Sequence, residues 1–382
     1  MPRYLRFHLL AIWLVATLAP AATCQAAPDP VKLGFFASLT GREAAFGERT
    51  RRGVELAVEE INAAGGVLGA PLLLAVEDTR SLPGEAATAV KKLIARDKAV
   101  AVVNGTGSAA ALEAAPVCQA LGVPFVVATA TNPHVTEAGD FVFRACFTDP
   151  YQGAVLARFA RQTLGAARVG VLVAGDNAYS VGLAKFFRTR FVADGGEVFE
   201  AKYIEGAKDF RAQLTALKAR RPDVIFASGN YLESALIATQ ARQLGLDVPL
   251  LGGDTWDTPA LVALAGGAVE GSCFTGHFSP ESDDPRARDF VRRFRARWGE
   301  APDTGGSLGY EAVMLWADAV VRAGTLAKPA VRDALAATKG FAGVTGRITI
   351  DAQRNAAKPA VIFTVRDGKF VYRESASAGD AP

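Results

Sequence analysis

Short apolar runs rich in β-branched residues alternate along the chain with stretches whose apolar residues recur at helical spacing. The runs fall at 31–37, 72–77, 100–103 and 125–128, then at 169–173, 198–203, 224–227 and 249–251. Between the first two, Val54, Ala57, Val58 and Ile61 share one helical face, while Arg51, Arg52, Glu55, Glu59 and Glu60 fall elsewhere. Strands that are apolar on both faces, separated by amphipathic helices, predict parallel sheets covered on both sides. Two sets of four such units split near 147–150, where Thr148-Asp149-Pro150 reads as a connector, so two similar lobes are expected. A further strand is predicted at 271–278, and helices at 285–298, 308–323 and 330–337. The C-terminal pattern differs: 346–351 and 359–372 alternate with period two, and Asp367-Gly368 predicts a hairpin turn of the primed type at a sheet edge. Small polar residues after Arg373 predict a disordered tail over 374–382.

The N-terminus adds a compartment. Arg3 and Arg6 precede an apolar run over 9–22, and Ala26 and Ala27 follow, which together predict a secretory signal peptide over 1–27. The run is short for a bilayer, and no later stretch of eighteen apolar residues predicts a membrane span. A lipid anchor at Cys24 is disfavoured, because the preceding Ala21-Ala22-Thr23 lacks the usual leucine and ends in threonine. Roughly 355 residues then remain, more than one compact core ordinarily supports, which agrees with two domains.

Export removes two arginines from a net charge of +3, leaving +1, so charge implies neither a nucleic-acid nor an acidic membrane partner. The basic stretch 286–297 is interleaved with apolar residues and reads as a solvated helix face. Cys118, Cys146 and Cys273 lack metal-binding spacing; one disulfide among them is permitted by an oxidising compartment, and three buried thiols are the simpler reading. No metal and no cofactor are expected.

Ordered motifs at the strand ends resemble those of the periplasmic leucine/isoleucine/valine-binding protein family, the type I solute-binding proteins of ABC transporters. They are Leu33-Gly34-Phe35 with Ser38-Leu39-Thr40-Gly41 and Phe46-Gly47, then Ala57-Val58-Glu59-Glu60-Ile61-Asn62-Ala63-Ala64-Gly65-Gly66 with Leu68-Gly69. Gly107-Ser108, Pro124-Phe125, Ala130-Thr131-Asn132-Pro133, Phe143-Arg144 and Asp209-Phe210 follow in order, so the resemblance spans nearly the whole exported chain. It implies an α/β fold of two Rossmann-like lobes with parallel central sheets, hinged by three crossovers. On that pattern one lobe takes 28–147 and 277–340, the other 148–276 and 341–373. Periodicity alone would have left the helices from Pro285 onward with the second lobe.

Open parallel sheets bind ligands at the C-terminal ends of their strands, where helix N-termini present free N–H groups to anions. The segment 104–108 turns after a strand and starts a helix, so the Ser108 hydroxyl and nearby amides suit a carboxylate, or serve only as a helix cap. The resemblance gives Ser108 the ligand carboxylate, Thr129 a main-chain contact to the ligand ammonium and Thr131 a hydroxyl contact to the head group. It places an acid at Asp254, where the branched-chain amino-acid binders have glutamate, to select the ammonium of the ligand. Tyr179 and Tyr231 match aromatic positions that cover the ligand on closure, and Phe46 an aromatic of the side-chain pocket. Trp256 is assigned to that pocket from its adjacency to Asp254 alone.

The function implied is an extracytoplasmic binding protein of an ABC importer, holding an apolar or aromatic amino acid for a membrane permease, with a periplasmic location and a monomeric state expected. The alternative is a periplasmic sensor of amides or amino acids that feeds a signalling partner. An enzyme is not expected: Gly105-Thr106-Gly107-Ser108-Ala109-Ala110 follows the third strand instead of the first, and no nucleophile elbow or histidine pair for a metal is present.

Overall fold

A computed structural model describes residues 28–376. The expected signal peptide with Cys24, and residues 377–382, lie outside that range. Two parallel sheets organise the chain. In the first, β1 (Val31–Ala37), β2 (Leu72–Asp78), β3 (Ala101–Gly105), β4 (Phe125–Val127) and β5 (Val142–Arg144) lie in the order β2-β1-β3-β4-β5. Helices α1 (Ala44–Ala63), α2 (Glu85–Ala95) and α3 (Ser108–Ala120) connect them. After α4 (Asp149–Arg158) the second sheet opens with β6 (Arg168–Ala174), α5 (Ala178–Ala193) and β7 (Glu197–Tyr203). It continues with α6 (Arg211–Lys218), β8 (Val224–Ala227), α7 (Tyr231–Gln243), β9 (Leu250–Gly252), α8 (Pro259–Ala265) and β10 (Cys273–Gly276).

Helices α9 (Pro285–Trp298), α10 (Thr304–Ala323) and α11 (Lys328–Ala336) return to the first sheet: Phe290, Phe294, Leu308, Val313, Val331 and Leu335 are buried in one core with Leu33, Val103 and Val126. Three short antiparallel strands follow, β11 (Phe341–Gly343), β12 (Gly346–Ile350) and β13 (Ala356–Ala357). They depart from the expected assignment of 341–373 to the second lobe. Ile348, Ile350 and Ala356 are buried in the first core, because the alternating face of β12 finds its apolar partner there. The second sheet takes β14 (Ala360–Arg366) and β15 (Lys369–Ala376), in the order β15-β14-β10-β9-β8-β6-β7.

The turn between β14 and β15 has Asp367 and Gly368 at φ +52° and +67°, the left-handed pair that matches strand twist in a primed turn. β15 runs to Ala376, so residues 374–376 of the expected tail pair with β14. Cys118, Cys146 and Cys273 are buried thiols. Among the described residues, no helix is long and apolar enough to cross a membrane.

The chain passes between the two sheets near 147, 277 and 358, and those points touch one another. The Phe147 ring stacks on His277 with centroids 3.5 Å apart. Lys358, fully buried, bonds Glu311 Oε2 at 2.8 Å and donates to the Ala145 carbonyl at 3.3 Å. A buried ion pair with a further acceptor is a specific contact more than a stabilising one, since two charges have left water to form it.

Candidate functional site

In the first sheet, successive strands are added on opposite sides between β1 and β3; in the second, between β6 and β8. At such switch points the connecting loops diverge and leave a crevice beyond the strand ends. Both crevices here open toward each other and form one cleft of about 390 Å³. The segment after β1, running into the first turn of α1, lends Ser38, Arg42, Glu43 and Phe46, and the segment after β3 lends Gly107 and, at the start of α3, Ser108. Opposite them stand Asn177 and Tyr179 after β6, Asn230 and Tyr231 after β8, and Asp254 after β9.

Six of the eight residues expected at the site line this cleft: Phe46, Ser108, Thr129, Tyr179, Tyr231 and Asp254. Ser108 opens α3, whose cap position is Gly107; its hydroxyl does not cap its own helix and accepts instead from the Asn132 N–H at 3.2 Å. The first-turn N–H groups of α3 are therefore left to the cleft, where Ala109 and Ala110 also line the wall. A carboxylate already lies there: Glu43 Oε2 accepts from the Gly107 N–H at 3.4 Å. Burial, with the Glu205 charge adding to it, raises the Glu43 carboxyl above the usual range, so ionising it at this place carries a cost.

Asp254 is almost fully buried and stands on the far wall. Its carboxylate has three hydrogen-bond partners from elsewhere in the chain. Oδ1 accepts from Tyr179 Oη at 2.7 Å and Gln152 Nε2 at 2.9 Å, and Oδ2 faces His277 Nε2 at 3.0 Å. Burial alone would push its carboxyl up, but the bonds from His277, Tyr179 and Gln152 outweigh that and hold it below the ordinary value. The carboxylate is held ionised by three hydrogen bonds, two on Oδ1 and one on Oδ2, and none of the three partners is an obligatory cation.

Two expectations are corrected. Thr131 is buried away from the cleft beside Asp149, because Thr131 and Thr129 alternate past the end of β4 and only Thr129 turns toward the opening. Trp256 is also fully buried; its indole lies under Gly252 and donates to Ser234 Oγ at 2.9 Å, which makes it core of the second sheet and no part of the pocket. Thr129 spends its hydroxyl on the Thr106 carbonyl at 2.9 Å.

The structure adds residues that the sequence reading passed over. Arg42 pairs with Glu205 across the cleft at 2.5 Å, Tyr231 Oη donates to the Arg42 carbonyl at 3.2 Å, and Asn230 Nδ2 lies 3.4 Å from Glu43 Oε1. Arg42 and Glu43 follow directly on the Ser38-Leu39-Thr40-Gly41 motif at a parallel strand end, a position that marks ligand loops. Gln152 and His277 carried no such signal, since neither follows a switch-point strand. Among the described residues, no group of three or more histidines, cysteines and acids is placed to hold a metal ion.

A family model described as periplasmic binding protein matches residues 30–369. The chain belongs to the periplasmic leucine/isoleucine/valine-binding protein family. A Leu/Ile/Val-binding protein homologue of Brucella melitensis is 31% identical, over 94% of this chain and 99% of its own. Among solved structures, a leucine-binding protein of Thermotoga maritima is 38% identical with a TM-score of 0.89, covering 92% of this chain and 99% of that one. A branched-chain amino-acid transporter substrate-binding protein of Streptococcus pneumoniae, in complex with isoleucine, is 33% identical with a TM-score of 0.86 over 91% and 99%. The fold of this family member is thus the type I periplasmic binding protein fold. The family consists of substrate-binding proteins of ABC importers, not of enzymes, and its location is the periplasm.

Proposed function

We propose that this protein binds an amino acid with an apolar side chain between its two lobes and presents it, closed, to an ABC permease. The observation that carries the reading is the opposition of two poles across one cleft. One wall holds the Ser108 hydroxyl and the N-terminus of α3, already visited by a carboxylate from Glu43; the other holds ionised Asp254 without an obligatory counter-cation. A zwitterion supplies what both walls lack: its carboxylate replaces Glu43 on α3, and its ammonium meets Asp254. Phe46 and Leu82 on the first wall give the side chain an apolar bed.

The lobes in this reading are 28–147 with 277–357, and 148–276 with 358–376, and the mature chain acts as a monomer, exported by its N-terminal segment and without catalytic activity. Calorimetric titration of ligand-stripped protein with the twenty amino acids, small amides and urea tests it. At least one amino acid should bind at micromolar level, about 8 kcal/mol, and silence toward all twenty removes the assignment. Asp254→Asn should weaken the best ligand by about a hundredfold, since a desolvated charge pair is lost; unchanged affinity would show that the ammonium lies elsewhere.

A further inference from the structure

Asp254 takes its three hydrogen bonds from three separate stretches of chain, and the one from His277 is the most constrained. His277 stands where the chain leaves β10 to cross to the first core. It is 1% exposed, its ring is stacked on Phe147 from the neighbouring crossover, and its backbone N–H donates to Thr304 Oγ1 at the start of α10 at 3.1 Å. With Asp254 ionised, the ring nitrogen facing it must carry the hydrogen, so Nε2–H donates. Nδ1 then holds a lone pair, and it has no partner among the described residues. A protonated ring would present a second N–H with nothing to accept it in a buried site, so the geometry itself favours the neutral imidazole.

We propose that His277 is a positioning residue for ligand recognition: from its fixed place in the hinge it donates Nε2–H to Asp254, aiming that carboxylate into the cleft while leaving its charge uncompensated for the ligand ammonium. This deepens the amino-acid reading above and rests on it. A lysine or arginine in the same place would also orient Asp254, but would neutralise it and remove the selection for an amine. Gln152 complements the arrangement by bonding both Asp254 Oδ1 and Thr275 Oγ1, at 2.9 and 2.8 Å.

The charged groups around the ring set the sign of its pH response. Asp254 and, farther off, Glu311 favour the protonated ring, while Lys358 and above all burial oppose it, and the balance lowers the pKa of His277. Arg144 and Asp149 lie in the same buried region, the latter acting on Asp254 as a neighbouring acid. When acid finally protonates Nδ1, an imidazolium competes with the ligand ammonium for one carboxylate. Affinity is therefore full while the ring is neutral and falls as pH drops through a value below the ordinary histidine range of about 6.5.

The test is calorimetry of the full exported chain with L-leucine and with the best binder of the twenty amino acids, as a function of pH, for wild type, His277→Gln and His277→Phe. Gln places an amide N–H near the site of Nε2 and cannot be protonated; it should keep neutral-pH affinity within about threefold and lose the acid-side decline. Phe keeps the stack on Phe147 without a donor and should weaken binding by about tenfold or more, with thermal melts verifying that the variants are folded. A His277→Phe protein that binds as wild type, or an acid decline that persists unchanged in His277→Gln, overturns the proposal. Wild-type silence toward all amino acids would instead defeat the ligand assignment, and a ligand-free arm then decides this one. NMR of the ring nitrogens should show the Nε2–H tautomer resisting protonation to below the ordinary range; an Nδ1–H tautomer or ordinary titration rejects it.

Discussion

Asp149 is the first residue of α4, fully buried, and neither of its carboxylate oxygens has a hydrogen-bond partner among the described residues. Burial pushes its carboxyl up to about 7, with Asp254 adding to the shift and Thr131 and Arg144 opposing it. The unfolded chain ionises this group near 3.9, so between about pH 4 and 7 the native state holds a proton that the unfolded state has lost. Stability from this group is present below the lower value and is lost as pH rises through the upper one, by an amount on the order of 4 kcal/mol. Asp149→Asn is neutral at every pH. Its melting temperature should match wild type near about pH 4 and exceed it increasingly toward about pH 8; a gap that stays constant with pH would mean that Asp149 is ionised in the native protein at low cost.

Between elements, α1 and α10 approach closely, and glycine makes this possible. A Cβ on Gly53 would lie 1.9 Å from the Gly306 carbonyl oxygen, and one on Gly309 would lie 2.4 Å from that of Thr50. Gly53→Ala should therefore destabilise by about 3 kcal/mol in urea unfolding, because the helices must part along their length. Since α1 follows directly on Arg42 and Glu43, ligand affinity should fall with it; a cost below about 1 kcal/mol would show that the helices separate easily. The periodic pattern made most elements legible: β1, β8 and α9 begin and end where their apolar runs do, since a strand buried on both faces and a helix with Asp284 as cap and Gly299 beyond its end are set by local chemistry. α1 begins at Ala44, well before the apolar stripe of Val54, Ala57, Val58 and Ile61, and Phe46 in its first turn lines the cleft instead of joining that stripe. The three strands from Phe341 to Ala357 were misplaced for another reason: alternation identifies a strand, but not which of two cores will cover it. At the site, strand-end residues were legible from topology and resemblance, whereas Thr131 and Trp256 were separated from it by backbone turns that sequence spacing does not resolve.

At the scale of the whole molecule, a clamshell binds tightly only to the extent that its closed form is populated, since affinity is reduced by the fraction of molecules that are competent. The contacts that join the two walls here come largely from one short loop. Arg42 reaches Glu205 at 2.5 Å, its carbonyl accepts from Tyr231, and Glu43 approaches Asn230; on the other side of α3 Asn132 Nδ2 donates to the Ala178 carbonyl at 3.1 Å. Arg42 and Glu205 are both partly exposed, so their pair contributes no more than about 1 kcal/mol. That is nonetheless enough to move an open–closed equilibrium by about fivefold. Arg42→Ala should accordingly raise the dissociation constant of the bound amino acid by up to about fivefold at low salt and by less as salt screens the wild-type pair. Ligand-free Arg42→Ala should also have a larger radius of gyration in small-angle scattering, while the ligand-saturated forms coincide. Equal radii and equal affinities at every salt concentration would assign closure to the buried wall of Asp254, Tyr179 and the hinge, and reduce the Arg42 pair to a surface contact.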